Sequence, residues 1–478
     1  DVAAKTPCKT GAAFTTPAFL TLTHSTVYNN QADKGGGILN VPDGVLTLVA
    51  STVTSNTARV SDGGGLFNAG SLYLIDSLIE KNFAPNRGGG LYNHPDRLAV
   101  IQGGLISGNI SGIWVGNMGH GGGVYNDGQL IMTDTQIVSN SARHMAAAFS
   151  NGNTGVGTLT GVTMERNLAG QDAYGFGASG GCLEVRGRLT IDRVAILSNT
   201  AEIVGGVWME TGSALTMTHS RIVGNVATGL SGGLYVSSHA TAIIEDSEFL
   251  SNTSAEKGGG IFIDGAVMMT GSLMSGNQSN NGGAIDNAGI ITLVNSTLSG
   301  NFANNEGGGF YTDDAFSVAR FNNVTIVNNL ANADANATGQ GGGLRVVTGT
   351  VQVFNTLIAQ NNDWGLLNRP DCSGALTLAA YDLIQNTTGC TLPGSAVGLI
   401  TGQAAQIGPL KDNGGPTWTH ALGLASPARK AGQSYANGPV LISCPKTDQR
   451  GVSRPSASRC DLGAFELVQR VYFPVVMR

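Results

Sequence analysis

The 478-residue chain predicts an all-β fold, a right-handed parallel β-helix (β-solenoid) of about 13 coils with a C-terminal disulfide-containing cap segment. Three observations predict it. A Gly-rich block and an Asn-terminated strand pair alternate along most of the chain, charged residues are scarce, and no stretch carries the apolar period of a helix.

The Gly block reads Gly-Gly-Gly-apolar-x-Asn at Gly35 to Asn40, Gly63 to Asn68, Gly88 to Asn93 and Gly121 to Asn126. It persists in degraded form as far as Gly341 to Leu344. The second signature resembles Leu-Thr-Leu-x-x-Ser-Thr-Val-x-x-Asn, as in Leu46 to Asn56 and Ile291 to Asn301. Its closing Asn recurs at 30, 56, 82, 109, 140, 167, 199, 225, 252, 277, 301, 329 and 361, a mean step near 28 residues. A period of that size means a solenoid, propeller or array. Leucine-rich repeats need a Leu-x-x-Leu-x-Leu frame and propeller blades need about 40 residues, so a β-helix coil fits best. Residues at equivalent positions then stack coil on coil. Stacked Asn side chains can hydrogen-bond one another and cap turns in the left-handed region, whereas stacked like charges repel. Gly runs supply corners that a Cβ would obstruct.

Composition agrees. Gly is 71 of 478 residues and charged residues are 12%, roughly twice and half their usual shares. The net charge of −6 is dispersed, so nucleic-acid binding has no electrostatic footprint. No run is long and apolar enough for a membrane span. Asp1-Val2-Ala3-Ala4-Lys5 lacks an apolar signal core and reads as the start of a mature or trimmed chain.

The expected organisation is an N-terminal segment and first coil (1–23), repeats (24–370), an irregular disulfide-containing region packed on the solenoid (371–470) and a β-prone tail (471–478). Cys372, Cys390, Cys444 and Cys460 lie in Gly/Pro/Ser-rich sequence. Four cysteines permit three connectivities, and the two nearest-neighbour bridges are favoured over reduced intracellular thiols. That reading points to a secreted, extracellular or cell-surface location. Cys8 and Cys182 have no adjacent His or acid and read as structural.

The repeat cadence resembles the β-helix repeats of bacterial polymorphic surface proteins and of pectate-lyase-like solenoids. The C-terminal motifs are Asp412-Asn413-Gly414-Gly415-Pro416-Thr417, Thr419-His420-Ala421-Leu422, Ser426-Pro427-Ala428, Asp448-Gln449-Arg450-Gly451-Val452 and Cys460-Asp461-Leu462-Gly463-Ala464-Phe465-Glu466. They resemble the choice-of-anchor type of bacterial surface protein, although Arg429-Lys430 stands where an acid is usual. The resemblance implies export and a surface role, generally without a defined enzyme activity.

Candidate functional residues are of three kinds. At the second position after the Gly block stand Leu39, Phe67, Tyr92, Tyr125, Leu183, Trp208, Tyr235, Phe262, Ile285 and Tyr311, then Arg345. If the first position points inward these point outward, as a stripe suited to a glycan or another rod; the alternative is core. Counting from the Gly blocks puts Asp264, Asn287 and Asp313 in one register, with Glu210 two coils earlier and Asp286 and Asp314 adjacent. Asp264 and Asp313 would lie about 10 Å apart, just outside the roughly 5–9 Å a glycosidase needs, so no catalytic residues are assigned. The histidines are scattered and no acidic cluster forms a cation site, so neither metal nor cofactor is expected. Thirdly, Tyr472, Phe473, Val475 and Val476 form a tail able to add a strand to an uncapped first coil, joining copies into filaments. Three insertions, 110–120, 168–178 and 330–340, fall at one corner and mark either a binding edge or tolerated loop drift.

The function expected is thus a non-catalytic extracellular structural or cell-surface solenoid, able to self-assemble head to tail into filaments. A carbohydrate-binding adhesin is the alternative, followed by a polysaccharide lyase or glycoside hydrolase. Self-association or cell-surface glycans are the expected partners.

Overall fold

The structure is a computed structural model that describes residues 12–13, 19–112, 119–170, 180–334, 339–394, 396–433, 443–455 and 458–468. The described residues contain no helix. They build a parallel β-solenoid of about thirteen turns.

Each coil crosses three sheets. The first holds the strands that follow the Gly blocks, from Ile38–Asn40 to Leu344–Val346 and Cys372–Ala375. The second holds the five-residue strands, such as Val45–Val49 and Ser71–Ile75, and the third holds Thr52–Thr54, Leu78–Glu80 and their successors. Two-residue strands such as Thr57–Ala58 and Phe83–Ala84 pair along the corner before the Gly block. Every strand in these ladders pairs in parallel with its counterpart one coil away, and Leu72, for example, stands between Leu46 and Ala99. Alternate residues point inward and stack as Leu46, Leu48 and Val53 do, filling the lumen with one continuous apolar core.

The Asn positions form a ladder inside the corner after the third sheet. Asn56 donates from its backbone N–H and its Nδ2 to Oδ1 of Asn82, both at 3.0 Å, and its Nδ2 also reaches the carbonyls of Val27 and Thr54. These residues do not themselves take the left-handed conformation. That role falls to the residue before each, as in Ser55 (φ 56°), Lys81 (φ 52°) and Ser139 (φ 55°). The turn is made one residue early so that the Asn side chain can swing into the stack. The Gly block is required by close approach: a Cβ on Gly64 would stand 2.3 Å from the carbonyl oxygen of Gly89 in the next coil.

The ladders run past 24–370 at both ends. They start before residue 24, at Phe19–Thr23 in the second sheet, and continue through Leu378–Ala380, Leu383–Ile384 and Ile400–Thr401. The terminal coils lose the Gly and Asn signatures but keep inward apolar residues such as Ile384, and those suffice for pairing.

The C-terminal region does two different things. The Cys372–Cys390 disulfide closes the last coil, and Leu392, Ala396 and Leu399 pack against the end of the lumen core. Beyond this short cap the chain turns back along the outer face of the third sheet. An antiparallel pair, Ile407–Lys411 with Thr419–Leu422, leads into a strap stapled by Cys444–Cys460. Ala405, Leu422, Ala428, Leu462 and Phe465 pack on Val327, Leu357, Ala359 and Leu383. Gln449 accepts from Thr297 Oγ1 at 2.6 Å, Ser299 meets His420 at 2.9 Å, and Thr417 reaches back to the Gly271 carbonyl at 2.7 Å. Buried Arg454 bridges Glu466, at 2.8 Å, and Asn295. The strap therefore spans five successive strands of the third sheet, from Leu273–Ser275 to Leu383–Ile384.

Candidate functional site

The outward face of the first sheet is set by its strand register. Pairing runs Leu39, Phe67, Tyr92, Tyr125, Ser150, Glu184, Trp208, Tyr235, Phe262, Asp286, Tyr311, Arg345 and Ser373 in one column. Its aromatic members at the N-terminal end form a cluster separate from the lumen core, whereas their strand neighbours, such as Leu66 and Leu91, belong to that core. Two expected members are corrected. Leu183 and Ile285 point inward, and Glu184 and Asp286 take the outward places. In those coils Cys182 and Ala284 occupy the third Gly position, so counting from the last Gly slips by one residue. A one-residue slip reverses the face.

The column is an outward rib more than an exposed stripe. Phe67, Tyr92 and Tyr125 are at most 6% exposed. Their faces are taken by one another: Phe67 and Tyr92 stack with centroids 4.9 Å apart, and Tyr92 and Tyr125 at 5.5 Å. Lys34 lies over Phe67, Arg87 over Tyr125 and Lys257 over Phe262, each about 5 Å from the ring centroid. Burial and the nearby Asp127 push the Tyr92 hydroxyl up to about 12. Trp208 and Tyr235 are the half-buried exceptions, meeting edge to face at 5.1 Å.

Two ionisable groups break the aromatic column, and they are solved oppositely. Glu184 is fully buried and accepts from Ser150 Oγ (2.5 Å) and Arg186 Nε (2.6 Å), with His120 Nδ1 at 3.2 Å. Burial alone would raise its carboxyl, but the His120 hydrogen bond, the positive charges of His120 and Arg186 and the Ser150 hydroxyl outweigh it, holding it at about 2. The His144 ring lies tilted against His120 with centroids 5.3 Å apart, and burial first and His120 second lower its basicity. Asp286, by contrast, is buried with neither carboxyl oxygen hydrogen-bonded. Burial pushes it up to about 8, Lys257 opposes the rise, and Asp313 and Asp264 add to it. It is a neutral acid at pH 7.

The other acids singled out from sequence are placed as follows. Asp264 accepts from Tyr235 at 2.6 Å, Asp313 from Tyr311 at 3.1 Å, and Asp314 from the Phe316 amide at 2.7 Å. Glu210 stands 4.0 Å from Arg186. Asn287 does not share the outward register of Asp264 and Asp313; it pairs with Ile263 and points inward. The sequence reading missed Glu184, His120 and Arg186 as a cluster. Aligning the coils on the third Gly position, where Cys182 substitutes, would have brought Glu184 into the column.

Asp286 apart, the ionisable groups named on this face are already paired with one another or with near neighbours. Arg345 meets Glu306 at 3.0 Å and Arg87 approaches Asp127 at 3.7 Å. Among the described residues, no three His, Cys, Asp or Glu side chains converge as a metal site. Cys182 is a free, buried thiol whose ionisation burial suppresses. Cys8, parts of all three insertions and the tail carrying Tyr472, Phe473, Val475 and Val476 lie outside the described residues.

No protein-family model matches the sequence, and no curated protein does. A solved structure, that of pectate lyase Pel9A, is similar over 89% of this chain and 88% of its own, at 13% identity and a TM-score of 0.31.

Proposed function

We propose that the protein is a non-catalytic extracellular surface rod. The observation that carries this is that the ionisable groups on the outward face of the first sheet, Asp286 apart, are already engaged by neighbouring side chains. Glu184, Asp264, Asp313, Arg345 and Glu306 all have partners within the column or beside it. A hydrolytic or eliminating site needs acid and base side chains turned toward a substrate. The two disulfides fit an oxidising, extracellular compartment. Incubation with neutral, acidic and amino polysaccharides is expected to release no reducing ends and no unsaturated products, while negative-stain images show elongated particles. Turnover that disappears in Glu184→Gln or Asp264→Asn would overturn this reading.

A second reading, adhesion to glycans along the same face, is favoured by one feature. Trp208 and Tyr235 are half-buried neighbours that leave part of their aromatic surface open on that face. Glycan binding that disappears when Trp208 and Tyr235 are both changed to Ala would establish it.

A further inference from the structure

We propose that a cleft at the leading edge of the strap is a binding site for a neutral sugar unit, separate from the outward column. The cleft has a volume of about 460 Å³ and lies where the strap's Leu410 and Trp418 overhang the outer face of the third sheet. That volume lies within the usual range of small-molecule clefts, roughly 300–1,000 Å³.

Its walls are of two kinds. One is apolar: Trp418, Leu410 and Leu273. Trp418 is 50% exposed although its neighbours on the strap are held down. Thr417 is anchored on the Gly271 carbonyl and Thr419 pairs with Lys411 in the antiparallel ladder. The indole is therefore fixed at its base while half its surface stays in water. The other wall is polar. Arg221 and Glu248 stand on adjacent coils with Nε to Oε2 at 3.2 Å. Burial raises the Glu248 carboxyl and the Arg221 charge draws it back.

This combination selects among ligand chemistries. The Arg221–Glu248 pair has no net charge, so an anionic or cationic ligand would have to break it. A purely apolar ligand would strip water from both ionic groups without replacing the lost hydrogen bonds. A peptide strand would need a free sheet edge, and the cleft lies on a sheet face whose strands are paired on both sides. A pyranose meets both walls: its C–H face lies on the indole, and its hydroxyls accept from the guanidinium and donate to the carboxylate. The proposal does not depend on the rod or on the outward column.

The test is a neutral-glycan array, followed by calorimetric titration of the full chain with the best-bound neutral oligosaccharide. Trp418→Ala is expected to weaken binding by about 10-fold or more, the value of one lost aromatic contact. Trp418→Phe should restore most of it, and Glu248→Gln should weaken it several-fold. The double change Trp208→Ala with Tyr235→Ala should leave it unaltered. Unchanged protease resistance of the strap shows that the variants remain folded. No neutral glycan bound at millimolar concentration, a preference for anionic glycans, or binding that survives Trp418→Ala would each overturn the proposal.

Discussion

Among the described residues run two Asn ladders, and they differ in a way that shows what a ladder requires. The first runs unbroken from Asn30 to Asn361 and ends on Asp371, whose Oδ1 accepts from Nδ2 of Asn361 at 2.9 Å. The second starts at Asn40 and passes through Asn68, Asn93 and Asn126 to Asn151, with side chains 2.7–2.8 Å apart. There it stops, and Val185, Met209, Val236 and Ile263 take the position. When an Asn reappears at 287 it has no Asn neighbour, and its buried Oδ1 is unpartnered. The same residue type at an equivalent position is satisfied in company, but alone it keeps only the Nδ2 bond to the Gly289 carbonyl, at 3.3 Å. Polar burial here is a property of the column, not of the residue.

Mutations can break or sharpen that contrast. Asn225→Ala, in mid-ladder, removes the acceptor of the Asn199 N–H and Nδ2 and the donor to the Ile196 carbonyl. A loss of about 4 kcal/mol is expected from three stranded buried groups, measured as a fall in denaturation midpoint. Asn93→Ala in the short ladder should cost about half as much, roughly 2 kcal/mol. Equal costs would mean that the unbroken run confers nothing extra.

Asp286 extends the argument to pH. Its folded pKa of about 8 lies above its unfolded value. The unfolded chain therefore releases this proton first, and stability falls as pH rises from about 4 to about 8. Asp286→Asn should raise the denaturation midpoint at pH 8 and leave it almost unchanged at pH 4, where the native acid is neutral anyway. A gain of the same size at both pH values would refute the isolation argument.

The smallest effect concerns the lone Asn. Asn287→Val, matching the apolar residues in its column, should be neutral or stabilise by up to about 1 kcal/mol. A clear loss of stability would show that Asn287 has a role its hydrogen bonds do not reveal.

The solenoid was legible because its determinants repeat. One Asn every 28 residues or so and a Gly block beside it declare the coil length, and scarce charge follows from stacking. Registers within a coil were less legible, and the reason is local. Cys182 and Ala284 replace a Gly without changing the coil, so Leu183 and Ile285 were assigned a face that belongs to Glu184 and Asp286. Of the strap, the Cys444–Cys460 bridge was legible but its path along the third sheet was not. Gln449, Arg454 and Glu466 lie beyond the repeats, in sequence without the coil period. Their contacts, Gln449 with Thr297 and Arg454 with Asn295, bridge more than 150 residues of sequence, and no periodicity encodes a partner at that distance.

The strap also sets where the rod resists opening. In a stack of coils each turn leans only on its neighbours, so unravelling can begin at either end. Here the C-terminal coils are capped by Leu392 and Leu399, closed by a disulfide and clasped across five strands by a segment held with a second. Peeling a coil there means first lifting the clasp. Force or a protease should therefore meet its strongest resistance at the clasped coils, and reducing Cys444–Cys460 should weaken it.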